Sequence, residues 1–222
     1  PVLTNDRCNF WHFRFDADAD MKMEALTNMM ASDSLIKKVY LINQDYSFGH
    51  AISKASKSML GDKRPDIEIV GDDLHPLAKI KDFSPYISKI RASGADSVIT
   101  GNWGADLALL VKAASEAGLD VNFYTQYAGI VGGLSAMGDA AADRVKQVTM
   151  WHVNAGGDES DALTQAYRDK FPKANDDLFF LSLKHAIEML VIAIQESNST
   201  DPLTVAKACL LYTSDAADDT PC

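Results

Sequence analysis

Residues 38–61 read KVYLINQDYSFGHAISKASKSMLG, and residues 95–118 read ADSVITGNWGADLALLVKAASEAG. Each segment begins with a short apolar run rich in β-branched residues. A turn with an aromatic residue and a glycine follows, and then an amphipathic stretch that ends in glycine. This pattern predicts a strand, a loop and a helix in each segment. Ligands of open α/β sheets bind beyond the carboxyl ends of the strands, so Phe48 and Trp103 are expected to lie at a ligand site.

The same alternation continues along the chain. The predicted strands are 38–43, 66–70, 97–100, 121–125 and 145–151. The predicted helices between and around them are 18–31, 47–60, 83–93, 104–117 and a short one near 139–143. Short connections between alternating strands and helices favour right-handed crossovers. The expected fold class is therefore α/β, with a doubly wound, mostly parallel sheet covered by helices on both faces.

The last third of the sequence has a different pattern. After the polar stretch HVNAGGDES come predicted helices at 160–171 and 176–196 and a short one from Pro202, with no strand among them. Such helices need a second layer, whose strands we expect to be largely absent from this chain. Residues 209–222, CLLYTSDAADDTPC, resemble a translated sequencing adaptor, so we expect a non-native tail.

Composition excludes several classes of function. The 222 residues carry 21 Lys and Arg against 31 Asp and Glu, a formal charge of −10, which disfavours nucleic acid as a partner. The most apolar run, 178–194, includes Lys184, His185 and Glu188 and is interpreted as a buried helix of a soluble protein. The opening residues lack the pattern of a signal peptide.

The motifs of catalysis and cofactor binding are missing from the sequence. It contains neither the glycine fingerprint of dinucleotide folds nor a P-loop, and no G-x-S-x-G elbow surrounds Ser47. The five histidines are scattered, without metal-ligand spacing. We therefore expect no enzyme, no catalytic residues, no cofactor and no metal.

Aromatic and amide residues instead follow the predicted strands. After the first and third strands along the chain and at the end of the fourth, the set comprises Tyr46, Phe48, Asn102, Trp103, Tyr124, Gln126 and Tyr127. Each residue alone could simply pack under its loop, but together they favour a pocket with aromatic walls and a few polar groups. The free amides at the start of the helix near Phe48 could bind a ligand carboxylate.

The order and spacing of these segments resemble a known family. VYLINQDYSFGHAI, DFSPYISKIRASGADSVITGNWGADLALLVKAASEAGL, MGDAAADRVKQVTMWH and AYRDKF are similar to type I periplasmic binding proteins of branched-chain amino-acid ABC importers. The resemblance covers about residues 9–208. It implies two lobes that close on a ligand, a periplasmic location, and no catalysis.

The resemblance also implies a domain organisation. Residues 1–20 form a crossing between lobes and the start of a helix, 20–152 the second lobe, and 153–208 helices that return to the first lobe. The first half of lobe one is expected to be missing, and the signal peptide with it.

Three positions of the family's ligand site carry over. Phe48 matches the aromatic residue that packs on the ligand, and Trp103 matches an aromatic in the next loop. The family's acidic residue, which holds a ligand ammonium, aligns with Tyr127, and a tyrosine cannot neutralise that charge. Tyr46, Asn102 and Gln126 are added as ligand-binding candidates because of their places in the loops.

The expected function is that of the solute-binding component of an ABC importer for branched-chain amino acids or related small carboxylates. A small-molecule ligand and a membrane permease are the expected partners. The alternative is a ligand-sensing domain of a receptor or regulator with the same fold.

Overall fold

The computed structural model describes residues 4, 6–173, 176–179 and 181–214. Their contacts divide the chain into two compact units. The larger unit comprises residues 18–179, and the smaller one combines residues 1–17 with residues 180–222, each within the described ranges. The larger unit extends to residue 179, beyond the lobe boundary expected at residue 152.

The larger unit is built on a five-stranded parallel sheet in the order β2-β1-β3-β4-β5. Its strands are β1 Lys38–Gln44, β2 Glu68–His75, β3 Ser97–Ile99, β4 Asn122–Thr125 and β5 Val145–Gln147. Its helices are α1 Ala19–Ala31, α2 Ser47–Lys63, α3 Ser84–Ser93, α4 Gly104–Glu116, α5 Gly133–Met137 and α6 Asp158–Lys170. Short 3₁₀ segments span Gly138–Ala141 and Val153–Ala155.

The core lies on both faces of this sheet. Val39 and Leu41 of β1 pack in one buried cluster with α1 and α2, whereas Tyr40 and Ile42 pack in another with α3 and α4. Successive side chains of a strand point to opposite faces, so a strand buried on both sides reads as a continuous apolar run. The predicted doubly wound α/β fold is confirmed.

Helix α2 is longer than predicted. It passes through Gly61 and ends at Lys63, with Arg64 as its C-cap. Pro65 explains this end point, because proline disfavours a helical conformation of the residue before it. The Arg64 guanidinium also donates to the backbone oxygens of Ala31 and Asp33, which ties this end of α2 to the end of α1.

Strand β2 also exceeds its prediction, because Gly71 and His75 lie in the strand and not in a loop. Gly71 pairs with Tyr40 and His75 with Gln44 in the parallel ladder. A Cβ at residue 71 would lie 2.2 Å from Cε2 of Tyr40, so the glycine admits the tyrosine ring. Gly71 suggested a loop in the sequence, but it marks a point in the strand where the backbone passes close to an aromatic ring.

The smaller unit contains helices α7 Leu181–Ser197 and α8 Pro202–Ser214. Ala193, Val205 and Cys209 form its small buried cluster, and Phe13 packs against them. An apolar cavity of about 460 Å³ opens nearby between the two helices and Phe13. The chain from residue 209 to Ser214 is helical and Cys209 is packed, whereas residues 215–222 lie outside the described ranges. That residues 209–222 are a non-native tail stays a prediction.

Several large apolar side chains of α7 are exposed, with Leu183 at 66% and Ile187 at 54%. The expectation that strands outside this chain cover these helices stays a prediction. Within the described residues, no helix combines the length and the hydropathy that a membrane span requires.

Candidate ligand-binding site

The sheet order places a crevice between β1 and β3. These strands are neighbours, but the chain leaves β1 towards β2 and leaves β3 towards β4. The loops that follow β1 and β3 therefore diverge, and such a switch point is where open α/β sheets bind ligands. Tyr46 is the extended N-cap of α2, and Trp103 is the extended N-cap of α4. Neither side chain caps its own helix.

Two glycines allow these loops to pass close to the strands. A Cβ at Gly49 would lie 1.9 Å from the backbone oxygen of Gln44. A Cβ at Gly101 would lie 3.1 Å from Oδ1 of Asn43 and 3.2 Å from Cε1 of Phe48. The Gly101 N–H donates to the same Asn43 oxygen at 2.6 Å. The glycines thus fix how the ring of Phe48 sits above the ends of β1 and β3.

Four of the predicted residues form one aromatic cluster, which comprises Tyr46, Phe48, Trp103 and Tyr127. The indole Nε1 of Trp103 donates to the hydroxyl of Tyr46 at 2.9 Å. The ring centroids of Tyr46 and Phe48 are 6.1 Å apart, and those of Phe48 and Tyr127 are 5.6 Å apart. Trp103 remains 40% exposed. The cluster therefore spans the ends of β1, β3 and β4 and keeps part of its aromatic surface accessible.

Burial raises the pKa of the Tyr46 hydroxyl, an effect that the hydrogen bond from Trp103 partly offsets. Tyr46 is therefore a neutral phenol at neutral pH, and its oxygen accepts the indole proton. This bond joins the loop after β1 to the loop after β3, so it fixes the positions of the two sides of the crevice relative to each other.

The two predicted amide residues, Asn102 and Gln126, are buried. Oδ1 of Asn102 lies 3.0 Å from Nε2 of His75, and Nε2 of Gln126 lies 3.0 Å from the sulfur of Met23. Tyr124 is 1% exposed and belongs to the core on the α1 side. Tyr124 is thus a packing residue, and each of the two amides contacts a buried side chain from another segment.

Unpaired polar atoms are concentrated at this edge of the sheet. In the part of the chain that the structure describes, the buried side-chain atoms without a hydrogen-bond partner are Gln44 Oε1, Asn102 Nδ2, Thr125 Oγ1 and Gln126 Oε1. All four residues lie at the carboxyl ends of β1, β3 and β4. A buried polar group without a hydrogen bond destabilises the fold, so its presence needs an explanation. The concentration of four such groups at this edge of the sheet supports a functional role for the edge.

Lys22 is a site residue that the sequence interpretation missed. It is only 4% exposed, in the first turns of α1. Its Nζ donates to the hydroxyl of Tyr127 at 2.9 Å and lies 4.3 Å from the centroid of that ring. The available signal was helical spacing: Lys22 shares the buried stripe of α1 with Ala19, Met23 and Leu26. Because lysine is almost never fully buried without a partner, its place in this stripe predicts a partner for its ammonium group.

The acidic residues near the loops have other contacts. Oδ1 of Asp45 lies 2.9 Å from Nε2 of His50, and both side chains are exposed. Oδ2 of the buried Asp106 accepts hydrogen bonds from Nε2 of Gln44 and from the backbone N–H of Ala78. Among the described residues, no group of three or more His, Cys, Asp or Glu side chains could hold a metal ion.

The loop after Tyr127 is anchored by Asp176, which sequence reasoning also missed. Its carboxylate accepts from the backbone N–H groups of Gly132 and Ser135 and from the Ser135 hydroxyl, at 2.6–3.1 Å. The hydrogen bond from the Ser135 side chain is the main cause that lowers the Asp176 pKa. Asp176 thus caps α5 from a distant part of the sequence, which local patterns cannot reveal.

We expect Asp176→Ala to destabilise the protein by about 1 kcal/mol at pH 7, the usual effect of losing a helix cap. A carboxylate with a lowered pKa stabilises the fold above its unfolded pKa and loses that effect on acidification. The difference should therefore shrink as the pH falls below about 4. Urea unfolding at pH 7 and at a pH below about 4 measures this difference in stability. Asp139→Ala, at an exposed aspartate, is the control. Equal effects of the two substitutions at pH 7 would contradict the capping role.

Comparisons with known proteins give a consistent result. The model of a family described as periplasmic binding protein matches residues 1–213. A Leu/Ile/Val-binding protein homolog of Brucella abortus is 36% identical over 167 residues, which are 75% of this chain and 39% of that protein.

Solved structures with the same fold are also found. A leucine-, isoleucine-, valine-, threonine- and alanine-binding protein from Brucella ovis, in a closed conformation, is 29% identical with a TM-score of 0.77, and the match covers 93% of this chain and 53% of that one. An ABC-transporter solute-binding protein of R. palustris in complex with benzoate is 17% identical with a TM-score of 0.81, over 94% of this chain and 56% of that one. The chain thus spans about half the length of these two solved structures and 39% of the length of the curated relative.

Proposed function

The chain belongs to the periplasmic binding protein family, and we propose that it is part of the extracytoplasmic solute-binding component of an ABC importer. The ligand is a branched-chain amino acid or a related small carboxylate. Two lobes close on it, and the importer's membrane permease receives it. The Brucella relatives, which are named for branched-chain amino acids, and the R. palustris protein in complex with benzoate support both ligand types.

The aromatic cluster at the switch point is the observation that carries this proposal. Its rings lie where α/β sheets of this topology bind ligands, and the indole of Trp103 is 40% exposed. Aromatic walls bind the apolar body of a small molecule and contribute about 0.5–1.5 kcal/mol per ring pair beyond the burial of area. The site of this chain therefore suits a ligand with an apolar or aromatic body.

The polar end of the ligand would lie near the N-termini of two helices. The N-termini of α2 and α4 both lie at this edge, and their N-cap side chains do not bond to the first-turn N–H groups. The fully buried Asn102, directly before the N-cap of α4, has an Nδ2 group without a partner among the described residues. N–H donors and the positive ends of helix dipoles favour an anion, which supports a carboxylate on the ligand.

The proposal includes binding without turnover. The relatives are named as binding proteins, and the aromatic cluster offers rings, a phenol and an indole as contacts for a ligand. Binding and release of an unchanged solute need no nucleophile or acid–base pair.

A binding screen on the full-length protein tests the proposal. We expect at least one compound among branched-chain amino acids, aliphatic carboxylates and aromatic carboxylates to bind in a 1:1 ratio by calorimetry and to be recovered unchanged. Failure of every compound to bind, or conversion of a bound compound into product, would refute the solute-binding function.

A further inference from the structure

We propose that the buried His75 is a positioning residue of this site: through Asn102 it fixes the loop that carries Trp103, and it thereby raises the affinity for the ligand. The inference rests on the proposed function and adds a residue to the same site. His75 ends β2, the outermost strand in the order β2-β1-β3-β4-β5, so β1 lies between it and the strand that leads to Trp103.

The backbone and the ring of His75 are both held in place. His75 pairs with Gln44 in the parallel ladder, and its carbonyl oxygen accepts from the N–H of Asp45 at 2.7 Å. The imidazole is fully buried and lies edge-on to the ring of Phe83, with centroids 5.0 Å apart, and 5.9 Å from the centroid of Tyr86. A side chain packed in this way keeps a defined orientation.

The imidazole reaches the loop after β3 through Asn102. Nε2 of His75 lies 3.0 Å from Oδ1 of Asn102, and both side chains are 0% exposed. The bond matters because its loss would leave a buried amide oxygen without its partner. Asn102 directly precedes Trp103, the extended N-cap of α4, so a fixed Asn102 also fixes where the indole begins.

A second anchor lies on the other side of Trp103. Oδ2 of the buried Asp106, in the first turn of α4, accepts from Nε2 of Gln44 at 2.7 Å and from the N–H of Ala78 at 2.8 Å. This anchor does not involve the imidazole. Loss of the His75 bond should therefore loosen the loop at Asn102 while α4 stays in place, and its main effect should fall on Trp103.

Packing alone does not account for a histidine at this position. A phenylalanine would fill the space beside Phe83 and Tyr86 without bringing a polar ring into the core, where polar groups need hydrogen bonds. The other ring nitrogen, Nδ1, lies 3.3 Å from the backbone oxygen of Pro76, which is longer than a typical hydrogen bond of this kind. The contact with Asn102 is thus the shorter of the two polar contacts of the ring.

A double-mutant cycle with His75→Phe and Trp103→Ala tests this role in the full-length protein. Calorimetry with the tightest-binding carboxylate should show a roughly five-fold loss of affinity for His75→Phe, the usual effect of one hydrogen bond. In the Trp103→Ala background the same substitution should change the affinity by less than about two-fold, because the residue through which it acts is gone. Equal losses in both backgrounds would overturn the inference and leave the solute-binding function intact. If no carboxylate binds the wild type, both proposals fail.

Rescue and a ligand-free measurement separate positioning from a general loss of stability. Glutamine also carries a side-chain N–H donor, so His75→Gln should bind within about two-fold of the wild type. The control is Ser56→Ala, at a fully buried serine whose hydroxyl donates within α2, which should leave the affinity unchanged. Melting curves establish that each variant is folded. Without ligand, the indole N–H resonance of Trp103 should shift in His75→Phe and not in Ser56→Ala. A folded His75→Phe protein with the wild-type affinity and resonance would contradict the role of His75.

Discussion

Gly49→Ala is expected to destabilise the protein by about 3 kcal/mol or more, a value at the upper end of overpacking effects. The added Cβ would lie 1.9 Å from the backbone oxygen of Gln44 and 3.2 Å from Cβ of Asn43. A carbonyl oxygen at the end of a buried central strand cannot move aside as a flexible side chain can. The substitution should therefore push the start of α2 away from the sheet, and Phe48 with it.

Gly61→Ala is the matched control in the same helix. No atom outside its own helical surroundings lies within 4 Å of a Cβ at residue 61, so alanine should stabilise the helix by about 0.5–1 kcal/mol. Urea unfolding followed by fluorescence measures both variants. Equal stabilities of the Gly49→Ala and Gly61→Ala proteins would show that the loop after β1 does not approach the strand as closely as described.

Trp103→Ala in the full-length protein is expected to weaken ligand binding by about 2 kcal/mol, or roughly thirty-fold. The indole contributes an exposed aromatic face and, through its bond to the Tyr46 hydroxyl, fixes the neighbouring ring. Alanine removes both effects. Because Trp103 is an N-cap without a side-chain cap bond and is 40% exposed, the loss of stability should be small in comparison.

Trp103→Phe separates the two contributions. Phenylalanine keeps an aromatic face for the ligand but cannot donate to Tyr46, so its affinity should lie between those of the wild type and the alanine variant. Calorimetry with the tightest-binding carboxylate measures all three proteins. An alanine variant that binds as tightly as the wild type would remove Trp103 from the ligand site.

The sheet and most helices could be predicted because their signals are local. The apolar run of β1 and the stripes of α3 and α4, each followed by a glycine with positive φ at Gly94 or Gly118, depend on residues within one segment. The end of α2 was misjudged because Gly61 suggested a stop. The combination of Arg64 and Pro65 determines the end instead. Pro65 is thus a better indicator of where this helix ends than Gly61.

The candidate site could be predicted in part. Phe48, Trp103 and Tyr127 follow strands whose ends meet at one edge, which strand order alone implies. Lys22 and Asp176 reach the site from segments that are more than forty residues away from the residues they contact. Only tertiary packing brings such pairs together, so sequence spacing could not identify them.

The proposed ligand site requires contact between a bound carboxylate and Trp103. Its most direct test is the indole N–H resonance of Trp103 in the full-length protein, assigned by its disappearance in Trp103→Phe and followed while the tightest-binding carboxylate is added. The resonance is predicted to shift in step with the binding measured by calorimetry. Saturation of the protein with ligand while this resonance stays unchanged would contradict the proposed site.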